Sequence, residues 1–237
     1  MSEGDFEIDS LAKYLHLMPQ QVQRMADRGK LPGRKVGGKW RFARAEIHHW
    51  LEARIGALED DGALADMEGV LRRHAEVDAA ECSIAELLPL EAIAAPLAAK
   101  TRGSVIDSMV QLAASTGLLW DPEKMADAVR EREDMHSTAL PVGVALMHPR
   151  RPMPSILSQP MLALGRTVQG IPFGGDRGQL TDLFFLICSV SDQEHLRTLA
   201  RLSRLIKDQP LLDAIRAADD ASATLQILLD AEANLDL

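Results

Sequence analysis

The sequence predicts a small helical unit with a basic hairpin, followed by an α/β domain whose mixed sheet is covered by helices. Three observations carry this. Positive charge is concentrated between residues 20 and 44 of a chain whose net charge is −9. Beyond residue 83, helical patterns alternate with short, almost wholly apolar runs, as in strands covered on both faces. A length of 237 residues is also enough for two compact domains.

Composition narrows the class. Hydrophobic content of 46% with 26% charged residues suits a globular protein. No apolar run approaches the roughly 20 residues that span a bilayer. The opening Met1-Ser2-Glu3-Gly4-Asp5 is acidic, without the apolar centre of an export signal, so a cytoplasmic protein with no membrane partner is expected. Cys82 and Cys188 stand apart without CxxC spacing, which predicts two reduced, buried thiols. Residues 1–54 carry ten Lys or Arg against seven Asp or Glu, whereas the rest carries sixteen against twenty-eight. Within 20–44, eight basic residues accompany one acid, Asp27. A basic segment on an acidic chain points to a local polyanion contact.

The first elements follow in order. Ile8 to Leu15 reads as a short helix capped by Asp9 or Ser10, with Leu11, Ala12 and Leu15 inward. After a turn at His16-Leu17-Met18, Pro19 opens a second helix to about Arg28, burying Val22 and Met25, and Gly29 stops it. This helix–turn–helix would present Gln20, Gln21, Gln23 and Arg24 to a DNA major groove. Next, a loop of Gly37, Gly38 and Lys39 is expected to set Val36 opposite Trp40 and Lys35 opposite Arg41. The apolar pair would then face the domain, and Arg34, Lys35, Lys39 and Arg41 would lie along phosphates as a wing. Ala43 to Arg54 closes the unit as a helix on Ile47, Trp50 and Leu51. The stretch from Phe6 to about Leu51, with its Gly-Gly wing and Trp-Arg-Phe, resembles the excisionase-type, MerR-like winged helix–turn–helix family. That resemblance implies DNA binding through residues 1–54.

Residues 55–80 read as a helical linker, with Leu64, Met67, Val70, Leu71 and His74 at helical spacing. The stripe is short for a coiled coil, and a homodimer is suggested more by the weak DNA binding of a single small reader.

Residues 81–237 form the second domain. Ser83-x-x-Glu86 reads as a capping box. Helices are expected at about 104–116 and 122–134, strands at 142–147, 161–168 and 183–188, and helices at about 192–207, 209–217 and 220–232. No GxGxxG or P-loop is present, and Gly174-Gly175-Asp176 reads as a turn. His148 ends the run Val142 to Met147 and precedes Pro149, Arg150 and Arg151, a place suited to nucleophilic phosphoryl chemistry. His195 falls in the first turn of a helix capped by Ser191 or Asp192, where free backbone N–H groups favour an anion. His136 precedes Ser137-Thr138. A metal site of His136, His148 and His195 is disfavoured by their wide spacing and the lack of clustered thiols or carboxylates, and no cofactor is expected.

The stretches "REREDMHSTALPVGVALMHPR" and "GIPFGGDRGQLTDLFFLICSVSDQEHLRTLARLSRLI" resemble the enzyme IIA domain of the phosphoenolpyruvate-dependent phosphotransferase system, in its fructose–mannitol and nitrogen-regulatory class. The resemblance implies that His148 accepts a phosphoryl group from an HPr-type phosphocarrier. It assigns Arg132 and His195 to the same site, with Ser137 and Thr138 as supporting phosphate donors. Met147 and Pro149 stand where the family has proline and glycine, Ala139 replaces a glycine, and His136 replaces a small or apolar residue. The expected function is a DNA-binding regulator with a phosphorylatable domain. The alternatives are an interaction module that binds a regulatory target protein without phosphorylation, and a phosphocarrier for sugar transport.

Overall fold

Two units make up the chain, Met1–Ala79 and Ala80–Leu237. The computed structural model describes residues 5–15, 17–55, 83–175 and 178–235. The linker pattern built on Leu64, Met67, Val70, Leu71 and His74 lies outside the described residues, as do His16, Cys82 and Asp176.

In the first unit, α1 (Ile8–Leu15) buries Leu11, Ala12 and Leu15. Pro19 opens α2 (Pro19–Asp27), and Gln21 reaches back to accept the Met18 N–H at 2.9 Å, satisfying a donor that the helix start leaves open. The inward face of α2 is Val22 and Ala26. Met25, expected in the core, is only half-buried, because the buried i, i+4 pair Val22 and Ala26 defines the inward face and leaves Met25 at its edge. Strands β1 (Arg34–Val36) and β2 (Lys39–Arg41) pair antiparallel, and α3 (Arg44–Ile55) closes the unit on Ile47 and Leu51. The indole N–H of half-buried Trp50 donates to the Lys30 carbonyl at 2.8 Å. Phe6 and Phe42 exchange backbone hydrogen bonds at 2.8 and 3.0 Å, which ties the start of the unit to the end of the hairpin.

The hairpin corrects the expected register by one position. Gly37 and Gly38 form the loop alone, at φ of +59° and +79°. Val36 therefore pairs with Lys39, Lys35 with Trp40 and Arg34 with Arg41. Two successive left-handed residues give a turn whose twist matches the strands, and a glycine pair supplies them without drawing in Lys39. Val36 is consequently 54% exposed rather than packed on the domain. Trp40 instead stacks near Phe42, with the Lys35 ammonium 5.1 Å from its ring centre.

The second unit is built on a five-stranded mixed sheet. Its strands are β3 (Ile93–Ala94), β4 (Ala139–Leu140), β5 (Val144–Met147), β6 (Met161–Ile171) and β7 (Thr181–Cys188), in the order β3-β6-β7-β5-β4. β5 runs parallel to β7 and β3 parallel to β6, while β6/β7 and β4/β5 are antiparallel. Every residue of β5 is buried, as is all of β7 except Asp182, so helices must cover both faces. They are α5 (Arg102–Ser115), capped by Thr101, α6 (Pro122–Met135), capped by Asp121, and α7 (Asp192–Leu205), capped by Ser191. α8 (Gln209–Ala217) and α9 (Ala221–Leu235) follow. α5 packs on β6 and α6, α7 on β7, and α9 on α8 and on the single turn α4 (Ile84–Leu87). Ser83 caps that turn through the Glu86 N–H at 3.4 Å. The carboxylate that completes the cap comes from α9: buried Glu232 accepts from the Ser83 hydroxyl and the Ile84 N–H, both at 2.7 Å, and pairs with Arg201.

Candidate functional site

His148 leaves the sheet at the end of β5, where four ladder pairs with β7 hold the strand in place. The residue is only 2% exposed. Its Nδ1 lies 2.7 Å from the Leu146 carbonyl oxygen. A carbonyl can only accept, so Nδ1 carries the hydrogen and the lone pair of the neutral ring resides on Nε2. His195, in the first turn of α7 and 6% exposed, sets its ring against that of His148, with centres 4.8 Å apart and planes at 56°. Two residues distant in sequence are thus brought together at the C-terminal edge of β5 and β7. The Nδ1 of His195 is 3.4 Å from the Ser189 hydroxyl. The Ser189 carbonyl accepts the Met153 N–H at 3.0 Å, so the segment after His148 is fastened to the same point. Beside His195, Glu194 accepts the Val190 N–H at 3.5 Å, and partial burial raises its carboxyl above the ordinary range.

The last turn of α6 shapes the connection leading into β4 and β5. Arg132, buried, donates through Nη1 to the His136 carbonyl at 2.7 Å. Its neighbour Glu133, 3% exposed, accepts the Thr138 N–H at 3.1 Å and the Thr138 hydroxyl on its other oxygen. Burial pushes the Glu133 carboxyl up, against the two Thr138 hydrogen bonds and the charges of Arg102 and Arg132. The Thr138 carbonyl in turn accepts the Leu146 N–H at 3.2 Å. Ser137 accepts the Ala139 N–H at 3.1 Å and reaches the Phe173 carbonyl at 3.5 Å, while His136 is exposed. Arg132, Ser137 and Thr138 therefore gather in one connection, joined to His148 through the Leu146 backbone. Glu133 is one acid among several in a charged helix, so no local pattern marks it; only its burial sets it apart. Cys188, also buried, has its thiol pushed up to about 12 by desolvation.

In the first unit, Gln20, Gln21 and Arg24 of α2 are exposed and Gln23 is half-buried. The basic residues of the hairpin have acidic neighbours: Arg34 pairs with Asp5 at 3.2 Å, Arg41 with Glu7 at 2.7 Å and Lys35 with Asp27 at 3.8 Å. Lys39 is exposed at the hairpin tip. Asp27 also accepts from the Gln23 amide at 2.9 Å and the Trp40 indole at 3.2 Å, and these contacts, the Gln23 bond foremost, hold its carboxyl below the ordinary value. It joins the end of α2 to the hairpin. Its isolation among eight basic residues was the signal that could have singled it out.

A helix–turn–helix unit and a mixed-sheet domain bearing a buried histidine pair define a two-part protein. Residues 7–55 match the helix-turn-helix domain family, and residues 86–231 match the family described as phosphoenolpyruvate-dependent sugar phosphotransferase system, EIIA 2. The chain belongs to this EIIA family, with a helix–turn–helix domain at its N-terminal side. It is 30% identical over 148 residues to a nitrogen regulatory protein of Bradyrhizobium diazoefficiens, covering 61% of this chain and 94% of that one. It is 29% identical over 147 residues to the fructose-specific EIIABC component of Bacillus subtilis, spanning 61% of this chain but only 23% of that longer protein. The nitrogen regulatory protein IIA-Ntr of Neisseria meningitidis shares the fold, with a TM-score of 0.55 at 22% identity over 61% of this chain and 98% of that one. Among the described residues, no helix is long and apolar enough to cross a membrane, and no group of three or more His, Cys, Asp or Glu is arranged to hold a metal.

Proposed function

We propose that this chain is a DNA-binding regulator whose EIIA domain accepts a phosphoryl group on His148 from an HPr-type carrier. The observation that carries the reading is the Nδ1–H of His148 donated to the Leu146 carbonyl, which leaves Nε2 as the nucleophile beside His195. In the transfer, the Nε2 lone pair forms the new P–N bond while the bond from phosphorus to the carrier's phosphorylated side chain breaks, and that side chain leaves with the electron pair. The phosphorylated ring gains positive character, and the Leu146 carbonyl stabilises it through the retained Nδ1–H. No added base is needed, because neutral imidazole is already nucleophilic near pH 7. The protein's work is alignment and charge neutralisation. On this reading Arg132 supplies a fixed cation, His195 orients or hydrogen-bonds the transferred group, and Ser137, whose hydroxyl makes only a long contact with the Phe173 carbonyl, is the hydroxyl donor assigned to a phosphoryl oxygen. Thr138 supports the site through its backbone.

The output is DNA contact by the first unit, in keeping with the regulatory relatives of the EIIA domain. Gln20, Gln21, Gln23 and Arg24 would meet base edges, and Arg34, Lys35, Lys39 and Arg41 phosphates. The phosphoryl group adds about −1.5 to −2 charges near pH 7 and so changes the contacts of the domain that carries it. A DNA affinity that differs between the phosphorylated and unphosphorylated chain supports this coupling, and an identical affinity contradicts it. A second reading, an interaction module that takes no phosphate, is favoured by one observation: His148 is 2% exposed and flanked by Met147 and Pro149. Failure to label with active carriers would select it.

A further inference from the structure

We propose that Glu133 is a positioning residue for His148, acting through Thr138 and Leu146 to hold the imidazole with its hydrogen on Nδ1; in its kinetic consequence this rests on the phosphoryl reading above. The chain of contacts is continuous. Glu133 accepts both donors of Thr138, the Thr138 carbonyl accepts the Leu146 N–H at 3.2 Å, and the Leu146 carbonyl accepts the His148 Nδ1–H at 2.7 Å. Free histidine prefers its hydrogen on Nε2, the tautomer in which Nε2 cannot attack. The reactive tautomer must therefore be imposed, and the group that imposes it is a backbone carbonyl whose own position is set from both sides. On one side β5 is laddered to β7 at Leu146–Phe185 and Met147–Leu186. On the other, β4 contributes only Ala139 and Leu140, too short to hold a register alone. The Thr138–Leu146 hydrogen bond extends that ladder by one step, and Glu133 anchors Thr138.

The chemistry of the anchor is specific to a carboxylate. Thr138 presents an N–H and an O–H to a group that is 3% exposed, and only an acceptor at both oxygens satisfies the two together. A glutamine of the same shape must turn its NH2 toward one of these donors, leaving a buried polar group unsatisfied. Arg132, next to Glu133, fastens the other end of the same connection through the His136 carbonyl at 2.7 Å. Adjacent residues of one helix turn thus clamp both ends of residues 136–138. The raised carboxyl of Glu133 agrees with a costly group retained for a contact, since burial opposes its charge.

The test uses the full chain. Imidazole ¹⁵N spectra, with the His148 signals assigned by their loss in His148→Ala, report the tautomer directly. The wild type should show Nδ1 protonated. Glu133→Gln should shift His148 toward the Nε2–H form and lower single-turnover phosphoryl uptake by about tenfold. Thr138→Val should shift it less and Thr138→Ser least, and these carry the test if Glu133→Gln does not fold. A merely structural Glu133 would lower the unfolding temperature and leave the tautomer of the folded protein unchanged. That result, with uptake within twofold of wild type, overturns the proposal. If the tautomer shifts but even the wild type takes no phosphoryl group, the positioning role stands and the phosphoryl reading falls.

Discussion

The imidazoles of His148 and His195 pack with ring centres 4.8 Å apart, one at the end of β5 and the other in the first turn of α7. The contact couples two buried residues, and on the proposed reading His148 is the nucleophile while His195 orients or hydrogen-bonds what it receives. Replacing His195 with Ala should therefore slow transfer from a phosphorylated carrier by about ten- to a hundredfold while His148 still labels. Rapid-quench single-turnover kinetics check this. An unchanged rate would remove His195 from the transfer step.

Acid and base should act on stability through Glu133. Its carboxyl is raised above the unfolded value of 4.5 by burial, so in the window just above that value the folded state holds more proton than the unfolded state. The stabilisation it contributes is full below the unfolded value and is lost as pH rises through the folded one. Urea unfolding between pH 4 and 7 should show a fall in stability across this window. In Glu133→Gln, that part of the pH dependence should be absent.

Glu232 joins α4, α7 and α9 by accepting from Ser83 and Ile84 and pairing with Arg201, largely away from water. Removing one partner of a buried ion pair leaves the other uncompensated, at a cost of about 3 kcal/mol or more. Glu232→Ala should therefore lower the unfolding temperature of the EIIA domain by about 10 °C, read by calorimetry. A drop of a degree or two would mean that the pair contributes little.

Cys188 is buried and its thiol is pushed up to about 12 by desolvation, so the reactive thiolate is scarce near neutral pH. In a Cys82→Ser background, native protein should leave a thiol-specific disulfide reagent unreacted and consume one equivalent only after unfolding.

In the first unit, Asp27 holds Trp40 and Lys35 of the hairpin against the end of α2. Asp27→Ala should loosen this junction and weaken DNA binding, whereas Asp27→Asn keeps an acceptor for the indole and frees Lys35 for phosphates. Lys39→Ala should lower affinity nearly uniformly across sequences and reduce the slope of log affinity against log salt by about one. Filter binding over a salt series distinguishes these outcomes. A chain that binds no DNA at low salt would leave the helix–turn–helix as a protein-contact module.

Much of this was legible in the residues because local signals and long-range packing agree. Prolines at 19, 122 and 210, with caps at Thr101, Asp121 and Ser191, start helices where the apolar spacing begins. The apolar runs of β5, β6 and β7 announce a covered sheet, and they position His148 as their pattern implied. What escaped depends on partners far along the chain. β3 and β4 have two residues each and exist only because β6 and β5 lie beside them. The second half of the Ser83 cap comes from Glu232, 148 residues from Ile84, which no local motif can indicate. The hairpin register turned on whether Lys39 belonged to loop or strand, and two left-handed glycines decided it.

The most direct measurement is transfer of radiolabel from a phosphorylated HPr-type carrier to the purified chain, with wild type and His148→Ala in parallel. About one acid-labile, base-stable phosphoryl group per wild-type chain is expected, as for a phosphoramidate on an imidazole nitrogen, and none on His148→Ala. Equal labelling of the two proteins, or no labelling of the folded wild type by an active carrier, would contradict the assignment of His148.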